Sequence, residues 1–301
     1  MKINGEKILV IVGPTATGKS GIAVLLAKKF DGEIISADSR QVYRGLDIGT
    51  GKITKKEMEG VPHHLLDIAS PKRKFSVAQY KKLAEKAIRY IVYKKKKLPI
   101  VVGGTGFYIQ ALVDNLDLPE VPPNLELRKK LEKKSVVELF EILKKLDPNR
   151  AKGIDSKNPR RLIRAIEIAK HLGQVPALNF KPSPTNYKPL FIGLDLPDKE
   201  LKKKIRMRLF ARIRNGMITE AKKLRKQGLS YKRMEELGLE YKFLAKHLKG
   251  ELTKSEMIEK LNTAIWQYAK RQQTWFKRDK RIHWIKTKKE AEKLVRKFLG
   301  N

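Results

Sequence analysis

The chain contains no cysteine. That excludes disulfide bridges and thiolate catalysis, and it fits a cytoplasmic protein. Nor is there any run approaching the roughly 18 apolar residues that a membrane span requires. No lipidation signal or strongly apolar amphipathic anchor replaces one, so no membrane association is expected. The short apolar run after Lys7 ends in Gly13-Pro14-Thr15 and reads as a first strand, not a signal peptide. Internal repeats are absent. Acidic residues are scarce: 32 Asp and Glu stand against 68 Lys and Arg, a formal charge of +36. Such an imbalance points to a polyanionic partner, the other explanation being a solvated lysine-rich surface. The 301 residues, 41% of them hydrophobic, suffice for one large domain or two modest ones with a proper core.

What is present alternates at first between strand and helix. Ile8–Val12, Glu33–Ala37 and Pro99–Val102 read as short apolar strands. Gly18 to Phe30 reads as a helix between the first two, and Ser76 opens another with Gln79 three residues on, a capping-box signature. Its apolar stripe runs Val77, Tyr80, Ala84, Ala87, Ile88, Ile91. This alternation predicts an α/β fold with a parallel sheet. The proline-rich stretch Leu118–Pro123 then marks a boundary. Helices alone follow, over Asn124–Lys134, Ser135–Leu146 and Asn158–Leu172, the last with Asn158 as N-cap and Pro159 in the first turn. Residues 174–189, with four prolines, read as an irregular return. A strand is expected over Leu190–Leu196, and a long helical tract from Asp198 to a stop near Gly228. A further helix is expected from about Thr253 to Phe276, then a last strand at His283-Trp284-Ile285 and a closing helix over Lys288–Leu299. The expected organisation is a core formed by 1–117 and 186–301, interrupted by an all-helical insertion over 118–185.

Gly13-Pro14-Thr15-Ala16-Thr17-Gly18-Lys19-Ser20 matches G-x-x-x-x-G-K-[ST] in full, between an apolar strand and a helix. Glycines let backbone N–H groups surround an anion, and the helix N-terminus favours negative charge. Lys19 would neutralise phosphate, and Ser20 can reach a magnesium ion. The motif establishes a phosphate site without naming the phosphorylated ligand. Asp38, just past the second strand, points into the ligand crevice of such a sheet. It can hold Mg²⁺ through water, act as a base toward a nucleophile, or simply cap a turn. Gly103-Gly104-Thr105-Gly106 ends a strand beside the P-loop and allows close approach of a ligand, or makes a tight turn. His63-His64 share no helix face, so a structural role is favoured over metal binding. Arg160 and Arg164 lie one turn apart, on a face suited to phosphate contacts or to plain solvation. Residues 268–278 mix cations with aromatics, a combination suited to single-stranded nucleic acid, although the aromatics can equally pack inward. Arg206, Arg208, Arg212 and Arg214 crowd one helix, with Arg208 a candidate diphosphate clamp.

Taken together and in order, GPTATGKS, ADSRQVYRGLDIGTGK, PHHLLDI, FSVAQY, VVGGTGFYIQAL, NPRRLIRAIEI and YAKRQQTWFKR resemble the tRNA dimethylallyltransferases, over nearly the whole chain. The resemblance implies a P-loop nucleotide-hydrolase-like core with an inserted helical domain that grips tRNA. It implies transfer of a dimethylallyl group from dimethylallyl diphosphate to N6 of the adenosine beside the anticodon, with Mg²⁺, by a monomer. Residues Thr15 to Ser20 then hold the donor diphosphate, Asp38 is the base, Arg208 binds the donor, and Thr105 contacts the target nucleotide region. Asp38, Ser39, Arg40 and Gln41 would touch the tRNA anticodon stem-loop, as would Arg128 and the run Arg160, Arg161, Leu162, Ile163 and Arg164. Two places depart from the family pattern: Arg212 stands where Met is usual, and Leu237–Lys242 replaces a common Ile-Gly-Tyr-Lys-Glu. The rival readings are a P-loop small-molecule kinase, a prenyltransferase acting on free adenine nucleotides, and a non-catalytic RNA-binding protein.

Overall fold

The structure is a computed structural model that describes residues 5–176 and 187–300. The described residues fall into two compact units, one within Met1–Asn115 and Pro184–Asn301, the other within Leu116–Ser183. The first unit begins β1 (Glu6–Val12), α1 (Lys19–Lys29), β2 (Gly32–Ser36), α2 (Lys55–Met58), β3 (His63–His64), α3 (Val77–Arg89), β4 (Leu98–Gly103) and α4 (Gly106–Val113). The second holds α5 (Leu125–Leu131), α6 (Val136–Leu146), α7 (Pro148–Gly153) and α8 (Pro159–Leu172). The first then resumes with β5 (Tyr187–Leu194), α9 (Asp198–Arg214), α10 (Met217–Lys226), α11 (Tyr231–Leu237), α12 (Leu239–Leu248), α13 (Lys254–Lys277), β6 (Ile282–Ile285) and α14 (Lys288–Leu299).

The strands form one six-stranded sheet in the order β3-β2-β4-β1-β5-β6. Every pairing is parallel. A parallel sheet needs both faces covered, and the alternation along β1 shows how. Ile8, Val10 and Val12 pack with Tyr80, Ala84 and Ile88 of α3 and with Tyr108 and Leu112 of α4. Leu9 and Ile11 pack on the other side with Ala23, Val24 and Leu26 of α1 and with Ala291 and Val295 of α14. Helices α9 to α13 form a third core with Val42, Tyr43 and Leu46. In the second unit, Leu131, Leu139, Leu143, Ala151, Leu162 and Ile166 make a core of their own.

Local chemistry sets the helix starts. Ser76, Ser135 and Thr253 close reciprocal capping boxes with Gln79, Glu138 and Glu256, and Asn158 caps α8 ahead of Pro159. Some expectations need correction. The tract from Asp198 is two helices, because Gly216 takes φ 95° and breaks the ladder between α9 and α10. Helix α7 was not expected; Asp147 caps it through the Arg150 N–H, with Pro148 in its first turn. Strand β5 starts at Tyr187 rather than Leu190, running through Pro189. That proline is tolerated because β6 pairs with β5 only from Phe191 onward. The same strand ends at Leu194, two residues short of the expected Leu196. Most of the expected irregular return over 174–189 lies outside the described residues.

Candidate active site

The loop between β1 and α1 lies at the carboxyl edge of the central strand. Gly13 adopts φ 141°, and a Cβ there would sit 2.2 Å from the Leu194 carbonyl oxygen, so glycine is what lets the loop pass against β5. The Thr17 hydroxyl is buried and donates to the Pro14 carbonyl at 2.9 Å, bracing the loop from inside. Gly18 and Ser20 are exposed where α1 begins. The Lys19 ammonium also donates to the Pro14 carbonyl and so lies over the loop. Burial first, and then the Arg208 guanidinium, push it down to about 7, with the Asp38 carboxylate opposing both.

Arg208 on α9 reaches this loop, donating to Thr15 Oγ1 at 3.2 Å and to the Gly51 carbonyl at 2.8 Å. Burial, followed by the neighbouring Arg212 charge, lowers its affinity for a proton; Glu240 and Asp38 act the other way. Two cations thus converge on the P-loop in a desolvated setting, an arrangement that gains stability from an anion.

Asp38 follows β2. Its Oδ1 accepts the backbone N–H groups of Arg40 at 2.8 Å and Gln41 at 3.3 Å. This is the turn-capping geometry that spacing alone left open. It engages one carboxylate oxygen; the other receives no hydrogen bond from the described residues. The loop is tied to the end of β4: Ser39 N–H donates to Thr105 Oγ1 at 3.0 Å, and Thr105 N–H to the Ala37 carbonyl at 3.2 Å. The Tyr268 hydroxyl lies beside Thr105. Tyr268 and Tyr108 are both pushed upward, first by burial and in part by the Asp38 charge, so both remain neutral phenols beside it.

Helix α13 contributes what the sequence motifs did not single out. Gln272 is buried, its Oε1 accepting the Thr15 N–H at 2.9 Å and its Nε2 donating to the Gly104 carbonyl at 2.8 Å. One side chain therefore joins the P-loop to the Gly104–Thr105 turn. In sequence the adjacent Gln272-Gln273 pair, set among cations and aromatics, names no partner for either side chain. Residues 268–278 divide by face: Phe276 and both glutamines are buried, Tyr268 is half-buried, and Arg271, Lys277 and Arg278 are exposed.

In the second unit the candidate tRNA residues separate. Arg160 and Arg161 are exposed. Arg164 donates to Glu167 and to the Val121 carbonyl, and Arg128 grips Glu167 with two bonds of 2.9 and 2.7 Å. Burial raises the Glu167 carboxyl, but the bonds from Arg128, Arg164 and the Asn124 N–H outweigh it and hold it below the usual range. Leu162 is wholly buried on the inner face of α8, so its side chain presents nothing to a ligand. Ile163 is half-buried against the same core. His63 Nδ1 meets the Val61 carbonyl and His64 Nε2 meets Glu33, both within hydrogen-bond distance. Among the described residues no cluster of three metal-ligating side chains occurs. A cavity of about 810 Å³ borders Ile22, Leu25 and Ile285, but its lining includes none of Asp38, Thr105, Lys19 or Arg208.

A parallel sheet with the Gly13–Ser20 loop at the end of its central strand, cations converging on that loop and a carboxylate nearby, defines a P-loop fold. A family profile for IPP transferases matches residues 41–279. The chain is 43% identical over 297 residues to tRNA dimethylallyltransferase 1 of Geotalea uraniireducens, covering 96% of this chain and 97% of that one. The crystal structure of a tRNA isopentenylpyrophosphate transferase from Bacillus halodurans superposes with a TM-score of 0.72 at 38% identity, covering 98% of this chain and 96% of that one. A eukaryotic dimethylallyltransferase crystallised while acting on tRNA gives a TM-score of 0.77 at 29% identity, over 90% of this chain and 70% of its own. The chain belongs to the IPP transferase family, the tRNA dimethylallyltransferases. Neither the small-molecule kinase reading nor the free-nucleotide reading receives support from these relatives. No helix among the described residues is long and apolar enough to cross a membrane.

Proposed function

We propose that this protein transfers a dimethylallyl group from dimethylallyl diphosphate to N6 of the adenosine beside the anticodon of tRNA, releasing diphosphate. The observation that carries the reading is the placement of Asp38. Its carboxylate has an oxygen without a hydrogen bond from the described residues, and its charge is felt by Lys19, Arg208, Tyr108 and Tyr268. The cations suit the diphosphate of a donor; the carboxylate suits the nucleophile.

The adenine amine is a poor nucleophile because its lone pair is delocalised into the ring. Asp38 accepts a hydrogen bond from N6 and then its proton. The N6–C1 bond forms as the bond from C1 to the diphosphate oxygen breaks. Charge growing on the leaving diphosphate is met by P-loop N–H groups, Lys19 and Arg208. Mg²⁺ would be held by the donor's own oxygens and by the exposed Ser20 hydroxyl, neutralising part of the leaving charge. Such an ion keeps several waters and binds largely through substrate phosphates. Unit two supplies Arg160 and Arg161 for the RNA backbone, while Arg40 and Gln41 stand beside Asp38 for the target region. Adenine must leave its stack to reach a carboxylate. The protein acts as a monomer on tRNA in the cytoplasm. Incubation with labelled dimethylallyl diphosphate, Mg²⁺ and bulk tRNA, followed by digestion, should yield a labelled N6-dimethylallyl adenosine. Label found only in free nucleotides, or none in RNA, would reject the proposal.

A further inference from the structure

The stretch Asp47–Gly51 belongs to neither the P-loop nor the Asp38 turn, yet its backbone is held from two sides. The N–H groups of Asp47, Ile48 and Gly49 converge on the carboxylate of Glu220, at 3.0, 2.7 and 2.9 Å. Successive backbone N–H groups of this kind form a concavity suited to an anion, and here a side chain from α10 fills it. The buried Tyr241 hydroxyl donates a fourth bond to Glu220 at 2.6 Å. From the other side, arginines of α9 hold the carbonyls: Arg212 donates to Gly49 at 2.6 Å and Arg208 to Gly51 at 2.8 Å.

The approach is close enough to dictate residue type. Gly51 has φ +60°, and a Cβ there would lie 2.3 Å from Arg208 Nη2; one on Gly49 would lie 2.6 Å from the Tyr241 hydroxyl. Arg208 uses its remaining described bond on Thr15 of the P-loop. A continuous chain therefore runs from Glu220 through the 47–51 backbone to Arg208 and on to the phosphate loop. Without an anchor, the long Arg208 side chain would have to fix its guanidinium against considerable rotamer entropy.

We propose that Glu220 is a positioning residue for Arg208: by holding the 47–51 loop through three N–H groups, it sets the carbonyl that aims the guanidinium at the donor's diphosphate. This rests on the reading of Arg208 as a donor-binding residue. The carboxylate, not a neutral isostere, is required. Each of its oxygens accepts two bonds, and an amide in its place would turn N–H donors toward N–H donors.

The test compares Glu220→Gln, Arg208→Ala and the double variant in steady-state transfer with dimethylallyl diphosphate and tRNA, alongside thermal unfolding. Glu220→Gln should raise the donor KM about tenfold, the equivalent of one charge-assisted bond, and leave the tRNA KM within about twofold. In the Arg208→Ala background it should add less than about twofold, because residues acting through one another are non-additive. Should Glu220→Gln fail to fold, Tyr241→Phe removes one of the four donors and should raise the donor KM a few-fold with the tRNA KM unmoved. A donor KM unchanged in Glu220→Gln, or in Tyr241→Phe where that variant stands in, while Arg208→Ala raises it, overturns the relay alone. Equal rises in both KM values, or effects that multiply in the double variant, do the same, since they mark a general role in the fold. A donor KM unmoved by Arg208→Ala overturns the reading of Arg208 itself, and the relay with it.

Discussion

Arg212 Nη1 donates to Glu240 Oε1 at 2.9 Å, joining the two places that the resemblance marks as departures. Arg212 is one of them, and Glu240 falls within the other, Leu237–Lys242. Both side chains are nearly enclosed, at 11% and 12% exposure. The guanidinium on α9 thus meets a carboxylate on α12 and the carbonyl of Gly49.

The pair yields a stability prediction. Arg212→Met strands a shielded carboxylate and should cost about 3–5 kcal/mol, the usual penalty for breaking a buried ion pair from one side. Arg212→Met with Glu240→Gln removes both charges and should recover most of that loss. Urea unfolding of the four proteins in the cycle gives the coupling; simple additivity would mean that the two charges do not interact.

Lys19 predicts a pH dependence. Its ammonium titrates near 7 in the folded protein against a reference of 10.5, because burial disfavours the charged form. An anionic donor prefers the ammonium, so donor affinity should fall as pH rises above about 7, by up to about tenfold per unit. Lys19→Arg, permanently charged, should flatten the profile. Stability runs the opposite way. A depressed lysine pKa means the unfolded chain binds more protons between about 7 and 10.5, so this group's contribution to stability grows as pH rises through that window. Donor titrations and denaturant melts across the same pH series measure both; a flat affinity profile in the wild type would place the ammonium outside the donor site.

Much of this site was legible in sequence because P-loop chemistry is contiguous. Eight consecutive residues specify strand, turn and helix N-terminus together, and Asp38 follows a strand whose apolar run announces it. The parallel sheet was legible for the same reason, from apolar strands separated by capped helices. Gln272 was not legible, since its role lies in bridging Thr15 and Gly104, which are distant in sequence. Nor was Glu220, an acidic residue on an amphipathic helix whose importance comes only from the backbone it meets. The break at Gly216 was hidden by an apolar period that continues on both sides, with Leu209, Met217 and Ala221 all buried. The arginines of α8 looked equivalent along the helix, but Glu167 sits one turn from Arg164 and claims its charge.

That difference separates two variants of the second unit. Arg160 is exposed, and its loss should reduce the slope of log affinity for tRNA against log salt by about 0.7–0.9, one phosphate contact. Arg164 faces the buried Glu167, so its loss should change the slope less and the thermal stability more. Filter binding across a salt series, with parallel melts, distinguishes them. Equal slope changes would show that Glu167 does not neutralise Arg164.

Asp38 provides the sharpest test of mechanism. Its Oδ1 accepts the Arg40 and Gln41 N–H groups, and an asparagine can keep those bonds through its own Oδ1. Asp38→Asn should therefore preserve the turn and the fold. What it loses is the ability to take a proton from the adenine amine, a loss typically worth about 10²–10⁴ in rate. Single-turnover transfer at saturating donor and tRNA should slow by that order, with both affinities little changed. If Asp38 instead served chiefly to hold Mg²⁺, excess metal should restore the rate, because the defect would lie in ion occupancy. The measurement is the single-turnover rate across a Mg²⁺ series. A variant slow at every concentration supports Asp38 as the base, whereas recovery to near the wild-type rate at high Mg²⁺ assigns it to the metal.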